Sequence, residues 1–226
     1  MLQFRQVTHP REMDALYRLR YEVYCKEKQF LSADDYQESR ETDEFDRYSA
    51  HFMAIDPEVG AEPLGCLRLI LHNPHGFPCE NHFALQQRAP DPRRAVEVSR
   101  LIVSPHARAI WRYMLIGLTK EFCLYALEHG MTHAYAVLER PLLSQFRRLG
   151  LPLETIGDGT WYYNTYNMPT YIDMQAYAHA IYSSTQGSRW FYDYMRAPRG
   201  DAAVAMMLER AQQMGVETTH APRKAS

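Results

Sequence analysis

The sequence predicts an α/β (α+β) fold: a mixed, mostly antiparallel central sheet flanked by helices on both faces. Two observations carry the prediction. Strand-like segments at about residues 51–55 and 64–71 are joined by the turn-like stretch 56–63, which reads as an antiparallel pair. The best strand of the chain, about 95–103, is followed by a long helix and then by another strand at about 131–138. A strand–helix–strand step of that kind needs a right-handed crossover and a parallel pair.

The elements follow in order. Residues 2–7 alternate well enough for a short strand, and the turn at Thr8-His9-Pro10 opens an amphipathic helix over about 11–26. Met13, Leu16, Tyr17, Tyr21 and Tyr24 fall near the 3.6-residue spacing that faces a core, with Arg20 beside that stripe. From 27 to 48 the pattern gives way to a long polar loop interrupted by Phe30 and Leu31, and loops of that length are usually functional or disordered. Residues 72–94 are rich in Pro, His and Asn, with Phe77, Phe83 and Leu85 as anchors for a loop or short helix. The long helix, about 109–129, carries the stripe Leu115, Leu118, Phe122, Tyr125 and Ala126 and ends at Gly130 as a C′ glycine. A helix over about 141–149 ends at Gly150, and a strand at about 151–156 follows. From Trp161 onward the chain is tyrosine-rich, with helices expected over about 176–183 and 202–214 and a frayed tail at 222–226. Residues 1–175 thus read as one domain, and 176–226 as a C-terminal helical extension packed on it, with a disordered tail.

Composition excludes several classes. A chain of 226 residues can bury roughly 70% of its unfolded surface in one large domain. The formal net charge of −2, from 25 basic and 27 acidic residues, gives no overall pull toward nucleic acid or an anionic membrane. The N-terminus enters no apolar signal core, and no run approaches the ~18 apolar residues of a membrane span. A cytoplasmic protein without stable membrane insertion is expected. Cys25, Cys66, Cys79 and Cys123 lie far apart with no C-x-x-C pair, which favours reduced filler over a disulfide frame. The ten scattered histidines show no ligand-like spacing, so no metal site is expected.

The chemistry-bearing stretch is Arg40-Glu41-Thr42-Asp43-Glu44-Phe45-Asp46, in which Glu41, Asp43 and Asp46 stand at spacing E-x-D-x-x-D around one aromatic residue. Buried carboxylates need partners. Arginines set in otherwise apolar elements are the natural ones: Arg20, Arg68 and Arg100. The same residues also read as a charged loop that merely caps a structural ion-pair network. Glu97 lies at the heart of an apolar strand, where desolvation raises a carboxyl toward neutrality and suits it to proton transfer. Glu97 and Arg100, three apart, would point to opposite faces of a regular strand. A β-bulge between them is expected to re-aim one and to free backbone N–H groups around Ser99 to Leu101 as oxyanion donors.

These residues also carry a resemblance. The order of elements resembles the GNAT acyltransferase superfamily, which implies a GNAT-like fold. Within it, Arg20 followed four residues later by aromatic Tyr24, then Glu41, Asp43, Asp46, Arg68, Glu97 and Arg100, resemble the signature set of the acyl-homoserine-lactone autoinducer synthases. Tyr135-Ala136-Val137-Leu138-Glu139, Phe146-Arg147-Arg148-Leu149-Gly150 and Ile156-Gly157 look closer to a sister group, the N-acyl amino acid synthases and the acyltransferases associated with exosortase (PEP-CTERM) sorting systems. The resemblance covers about residues 1–175. It implies an acyltransferase that moves a fatty acyl group from the phosphopantetheine thioester of acyl carrier protein to the amine of an amino acid or related small molecule, with no tightly bound cofactor.

The resemblance and the residues together assign roles. Glu97 is the candidate base and Glu41 the second. Glu41, Asp43 and Asp46 with Arg20, Arg68 and Arg100 form a charge network that folds the long loop over the amine-acceptor pocket and mainly orients the site. Phe30, Phe45, Phe77 and Leu101 are candidates for the acyl pocket, each equally explained as ordinary core. Coenzyme-A-dependent relatives cradle a pyrophosphate in an R-G-x-G-x-G turn at a helix N-terminus, and here that turn reads Arg108-Ala109-Ile110-Trp111-Arg112. Side chains at Ala109 and Trp111 would crowd a pyrophosphate, which favours acyl carrier protein over acyl-CoA as donor. Arg108, Arg112, Lys120, Arg140, Arg147 and Arg148 concentrate positive charge suited to an acidic carrier protein, and read equally as a solvated face. No cysteine has a histidine at a recognisable motif, so a cysteine nucleophile is not expected.

Two alternatives stay open. One is an acyl-homoserine-lactone synthase using S-adenosylmethionine, against which Phe30 stands roughly where that family has a tryptophan. The other is a non-catalytic module that binds an acyl chain or carrier protein. The tyrosine-rich C-terminal part, including Trp190-Phe191-Tyr192-Asp193-Tyr194, has three readings: cover for the acceptor pocket, a dimer face, or completion of the core, which is favoured.

Overall fold

The computed structural model describes residues 2–183 and 189–198. Its strands are β1 (Gln3–Gln6), β2 (Ser49–Ile55), β3 (Gly65–Ile70), β4 (Ala95–Val103), β5 (His133–Glu139), β6 (Glu154–Thr155), β7 (Thr160–Tyr162) and β8 (Thr165–Asp173). They form one sheet in the order β1-β2-β3-β4-β5-β8-β6, with β7 also paired to β8. Only β4 and β5 run parallel; every other pair is antiparallel. The helices are α1 (Pro10–Tyr21), α2 (Pro78–His82), α3 (Trp111–Glu128), α4 (Arg140–Arg148), α5 (Met174–Ser183) and α6 (Arg189–Arg196). The mixed, mostly antiparallel sheet follows the expectation.

Alternation along the strands builds two layers. Phe52, Ala54, Leu67 and Leu69 pack with the α3 residues Met114, Leu118 and Phe122. Their neighbours Met53, Ile55 and Cys66 pack with Leu16 and Leu19 of α1. Successive side chains of a strand point to opposite faces, so α1 and α3 cover opposite sides of the sheet. Gly117 sits inside α3 because the Phe4 ring lies on it; a Cβ there would come within 2.4 Å of that ring. Gly130 and Gly150 follow α3 and α4 at φ of 67° and 90°, a conformation that costs an L side chain energy and glycine little.

The largest departure is β8. The sequence reading ran a strand over 151–156, which shrinks to the two residues of β6, and it missed the nine-residue strand β8. Pro169 sits in the middle of β8 and argues against a strand when read alone. In the sheet, β8 pairs with β5 over seven positions, Val137 lies opposite Pro169, and the Pro169 carbonyl accepts from Ile156 N–H at 3.1 Å. The expected N-terminal helix also changes character: α1 ends at Tyr21 and continues as a π-helical turn, Glu22–Glu27. Phe191, Tyr192, Tyr194 and Met195 of α6 are buried in the main core with Tyr177 and Ile181 of α5, so this part of the tyrosine-rich region completes the core. The helix expected at 202–214 and the tail at 222–226 lie outside the described residues. Among the described residues no helix is long and apolar enough to cross a membrane.

Candidate active site

The site arises where the parallel pair stops. β4 and β5 are in register from Ala95 opposite His133 to Val98 opposite Ala136. Both strands continue, to Val103 and Glu139, without further pairing to each other. A cleft of about 460 Å³ opens between them, lined by residues 98–103 of β4, Val137, Leu138 and Glu139 of β5, and side chains from the long loop.

A bulge in β4 aims the polar groups into this cleft. Cys66 of β3 is opposite Ile102 and Arg68 is opposite Ser99, so two steps on β3 face three on β4. Arg100 takes up the extra residue at φ of 50°, a left-handed conformation that non-glycine residues adopt only when their surroundings fix them. Glu97 and Arg100 consequently both line the cleft.

Arg100 is fixed by the acidic loop. Arg20 donates through Nε to Glu41 and through Nη1 and Nη2 to Asp46, at 2.6 and 3.2 Å. Arg68 donates to Asp43 through both Nη atoms, to Asp46 through Nη1 at 2.8 Å and to Ser99 Oγ through Nε at 2.9 Å. Arg100 donates to Glu41 through Nε at 3.0 Å and Nη2 at 2.6 Å, and to Asp43 through Nη2 at 3.0 Å. Three carboxylates thus balance three guanidiniums. Burial opposes ionisation of Glu41, but Arg100 and then Arg20 outweigh it and hold the carboxyl at about 2. Asp46 is likewise held below its ordinary range, Arg20 outweighing burial.

This geometry corrects several assignments. Glu41 is wholly buried behind the cleft and firmly ionised, so it is the clasp between two arginines and a poor base. Arg20 and Asp46 are also behind the cleft wall and serve as framework, whereas Asp43, Arg68 and Arg100 line it. The Ser99 hydroxyl is occupied by Arg68, which makes it an anchor. Phe30, Phe45 and Leu101 line the cleft; Phe77 is core, packed on Tyr135 with centroids 5.5 Å apart.

Glu97 has a different environment from the other carboxylates. It is 3% exposed, and its Oε2 accepts the Cys79 backbone N–H at 2.8 Å. Burial drives the carboxyl up to about 8, a rise that the Cys79 hydrogen bond and Arg68 only partly offset.

The expected basic face divides. Arg108 lies at the cleft rim and pairs with Glu27 at 2.6 Å. Arg112 sits over the Trp111 ring at 5.4 Å and shares a groove between α3 and α4 with Arg148. Arg147 is instead tied to the loop after α4, donating to the Leu153 carbonyl at 3.0 Å and Thr155 Oγ1 at 2.8 Å. Lys120 is buried and donates to the Tyr194 carbonyl at 2.8 Å, so it presents no charge to a partner.

The site residues contributed by the β7–β8 hairpin were not foreseen. Tyr163 and Asn164, at φ of 51° and 55°, form the two-residue turn joining β7 and β8, and the hairpin brings Tyr162, Tyr163 and Asn167 to the cleft. Asn164 Nδ2 donates to the Gln29 carbonyl at 2.9 Å and ties the hairpin to the long loop. The Arg100 guanidinium lies 5.1 Å from the Tyr24 ring and 5.5 Å from that of Tyr163. One signal was available: an asparagine between two aromatic, β-prone runs marks a tight hairpin. All four cysteines are buried thiols, and among the described residues no group of three or more His, Cys, Asp or Glu is arranged to hold a metal ion.

Residues 19–116 match the family described as the acetyltransferase (GNAT) domain. The chain has a mixed α/β, GNAT-like fold. BjaI, a CoA-dependent acyl-homoserine lactone synthase solved with SAM and isopentyl-CoA, superposes on the chain with a TM-score of 0.65 at 19% identity, over 92% of this chain and 100% of its own. The acyl-homoserine lactone synthase LasI gives 0.63 at 14% identity, over 84% and 98%. FeeM, an N-acyl amino acid synthase from uncultured soil microbes, gives 0.53 at 16% identity, over 77% and 92%. No curated protein sequence matches the chain.

Proposed function

We propose that this protein is an N-acyltransferase that moves a fatty acyl group from a phosphopantetheine thioester to the amine of an amino acid or related small molecule. The observation that carries the reading is Glu97: a buried carboxyl raised to about 8 that opens into the splay between β4 and β5. A carboxyl raised to that level is far better matched to an ammonium proton than an ordinary carboxylate. Ionised Glu97 takes a proton from the acceptor ammonium, and the freed amine attacks the thioester carbonyl. Backbone N–H groups of the bulge around Ser99 to Leu101 stabilise the oxyanion. The attacking nitrogen loses its second proton, collapse breaks the C–S bond, and the departing thiolate takes that proton up. The ion-pair network holds Arg100 and the loop in place without reacting.

Acyl carrier protein is the donor this reading favours. A 3₁₀ turn, Pro105–Ile110, leads into α3, with Ala107 and Ile110 buried and Trp111 beginning the helix. Side chains occupy the place where a glycine-rich turn would bare its amides to a pyrophosphate. Arg112 and Arg148, flanking one groove, suit an acidic carrier protein acting with this enzyme in the cytoplasm. A second reading, lactone synthesis from S-adenosylmethionine, is favoured by the extent of the likeness to BjaI, which spans that whole chain. One assay separates them: the protein is incubated with acyl carrier protein or coenzyme A loaded with several chain lengths, together with amino acids and S-adenosylmethionine, and products are identified by mass spectrometry. An N-acyl amino acid supports the first reading and an acyl-homoserine lactone the second. Hydrolysis alone, or tight carrier binding without product, refutes both and leaves a binding module.

A further inference from the structure

Nearly every guanidinium nitrogen of the arginine network is engaged. Arg20, Arg68 and Arg100 carry nine guanidinium nitrogens, three each, and eight are bonded to Glu41, Asp43, Asp46 or Ser99. The ninth, Arg100 Nη1, makes one long contact among the described residues, 3.5 Å to Tyr163 Oη. Both residues line the cleft, and the rings of Tyr24 and Tyr163 flank the guanidinium. Burial, and then the neighbouring Tyr163 hydroxyl, raise Tyr162 and keep it protonated. Arg100 Nη1 carries two N–H groups, and its one contact at 3.5 Å leaves it able to donate to a ligand beside the Tyr163 hydroxyl. An N–H and an O–H therefore converge on one spot of the cleft wall, beside a network whose own charges cancel.

We infer that Arg100 Nη1 and Tyr163 Oη hold the α-carboxylate of the acceptor, so that the site selects α-amino acids over simple amines. The inference rests on the reading of the cleft as an N-acyltransferase site with Glu97 as base. An α-amino acid separates its amine and carboxylate by a single carbon. The β4 bulge brings Glu97 and Arg100 to the same cleft, so one α-amino acid head spans the two, its amine at Glu97 and its carboxylate at Arg100. A guanidinium–carboxylate bond of this kind is charge-assisted and fixes orientation as well as affinity. Tyr163 reaches the site only because β7 and β8 fold over the cleft, and is thereby a specificity residue contributed by the hairpin.

The test uses matched acceptors with acyl carrier protein and coenzyme A thioesters: L-phenylalanine, L-phenylalaninamide and phenethylamine; L-leucine, L-leucinamide and isopentylamine; S-adenosylmethionine and its decarboxylated form. The wild-type protein is expected to acylate each acid with a kcat/KM at least about ten-fold above its decarboxylated partner. Tyr163→Phe should raise KM for the acids by about ten-fold, the weight of one hydrogen bond to a charged group, while leaving the decarboxylated amines unchanged. Arg100→Lys should erase the preference for the acids. Equal use of acids and amines by the wild type, or an equal loss for both in Tyr163→Phe, overturns the inference while leaving N-acyl transfer intact. If no acceptor is acylated, the N-acyltransferase reading fails, and calorimetric binding of the same compounds then decides the clamp. Binding of an acid that Tyr163→Phe weakens upholds it; equal binding of acid and amine sinks it.

Discussion

Replacing Glu97 by Gln isolates the base from the fold. The side chain is 3% exposed and is anchored by the Cys79 N–H at 2.8 Å, which a glutamine carbonyl oxygen can accept as well. The rise from an ordinary 4.5 to about 8 corresponds, at ~1.4 kcal/mol per pH unit, to an ionised form disfavoured by on the order of 5 kcal/mol. Arg68, Arg100, Glu80 and Cys79 are the charged and titratable groups that set this value, with burial dominant. The sign follows directly. A carboxyl raised in the folded state contributes stability that is full below 4.5 and is lost as pH rises through about 8. Activity runs the other way, because only ionised Glu97 accepts a proton. The wild-type kcat/KM should therefore climb as pH rises toward 8. Glu97→Gln should lower kcat/KM by about 10²–10⁴ and flatten that climb, the usual weight of a positioned base. The variant should also unfold no more readily than the wild type at pH 8 and above. The assay is thioester cleavage coupled to N-acyl product, measured from pH 6 to 9.5 beside urea unfolding at the same pH values. A variant that keeps full activity with an unchanged pH profile removes Glu97 as the base, and with it the central argument for the function.

Other expectations follow from the same geometry. Glu41→Gln leaves Arg20 and Arg100 buried against a neutral partner and should destabilise the protein by about 3–5 kcal/mol in urea titration; a loss under about 1 kcal/mol would show the network to be dispensable. Because Glu41 is held at about 2, below its ordinary 4.5, its contribution is present above 4.5 and disappears as pH falls toward 2, so acid unfolding of Glu41→Gln should be less steep than that of the wild type. Phe77→Ala should cost about 3–5 kcal/mol as a core truncation, whereas Phe30→Ala should leave stability nearly unchanged and shift the preferred acyl or acceptor substrate, read by competition among thioesters and amines. Charge reversal at Arg112 and Arg148 should raise KM for acyl carrier protein most strongly at low salt and leave acyl-CoA use unaffected, while Arg147→Ala should act through stability instead. An equal effect on both donors would remove the carrier-protein groove.

Much of the site was legible because its members are polar residues in apolar surroundings. Arg20, Arg68, Glu97 and Arg100 interrupt otherwise hydrophobic stripes, and a buried charge must find a partner. Their pairing with Glu41, Asp43 and Asp46 follows from that cost. The roles were less legible than the membership. Glu41 and Glu97 are both buried carboxylates, yet one is held at about 2 by two guanidiniums that outweigh burial, and the other is driven to about 8 by burial that Arg68 and Arg100 only partly offset. Sequence spacing carries no such distances. Phe30 and Phe77 differ in the same way: similar residues in polar loops, one on the cleft wall and one in the core.

By itself the sequence determined the mixed sheet with its single parallel pair, the helices on both faces and the bulge needed between Glu97 and Arg100, because hydrophobic period and charge burial are local constraints. Tertiary structure alone decided three things. It set where the parallel pair splays into a cleft, which depends on register between strands far apart in the chain. It drew β8 into the sheet interior despite Pro169, since the neighbours on both sides supply partners that no local pattern predicts. It also folded the Tyr163-Asn164 hairpin over Arg100, placing a hydroxyl beside the one nitrogen of the three guanidiniums that neither the acidic loop nor Ser99 engages.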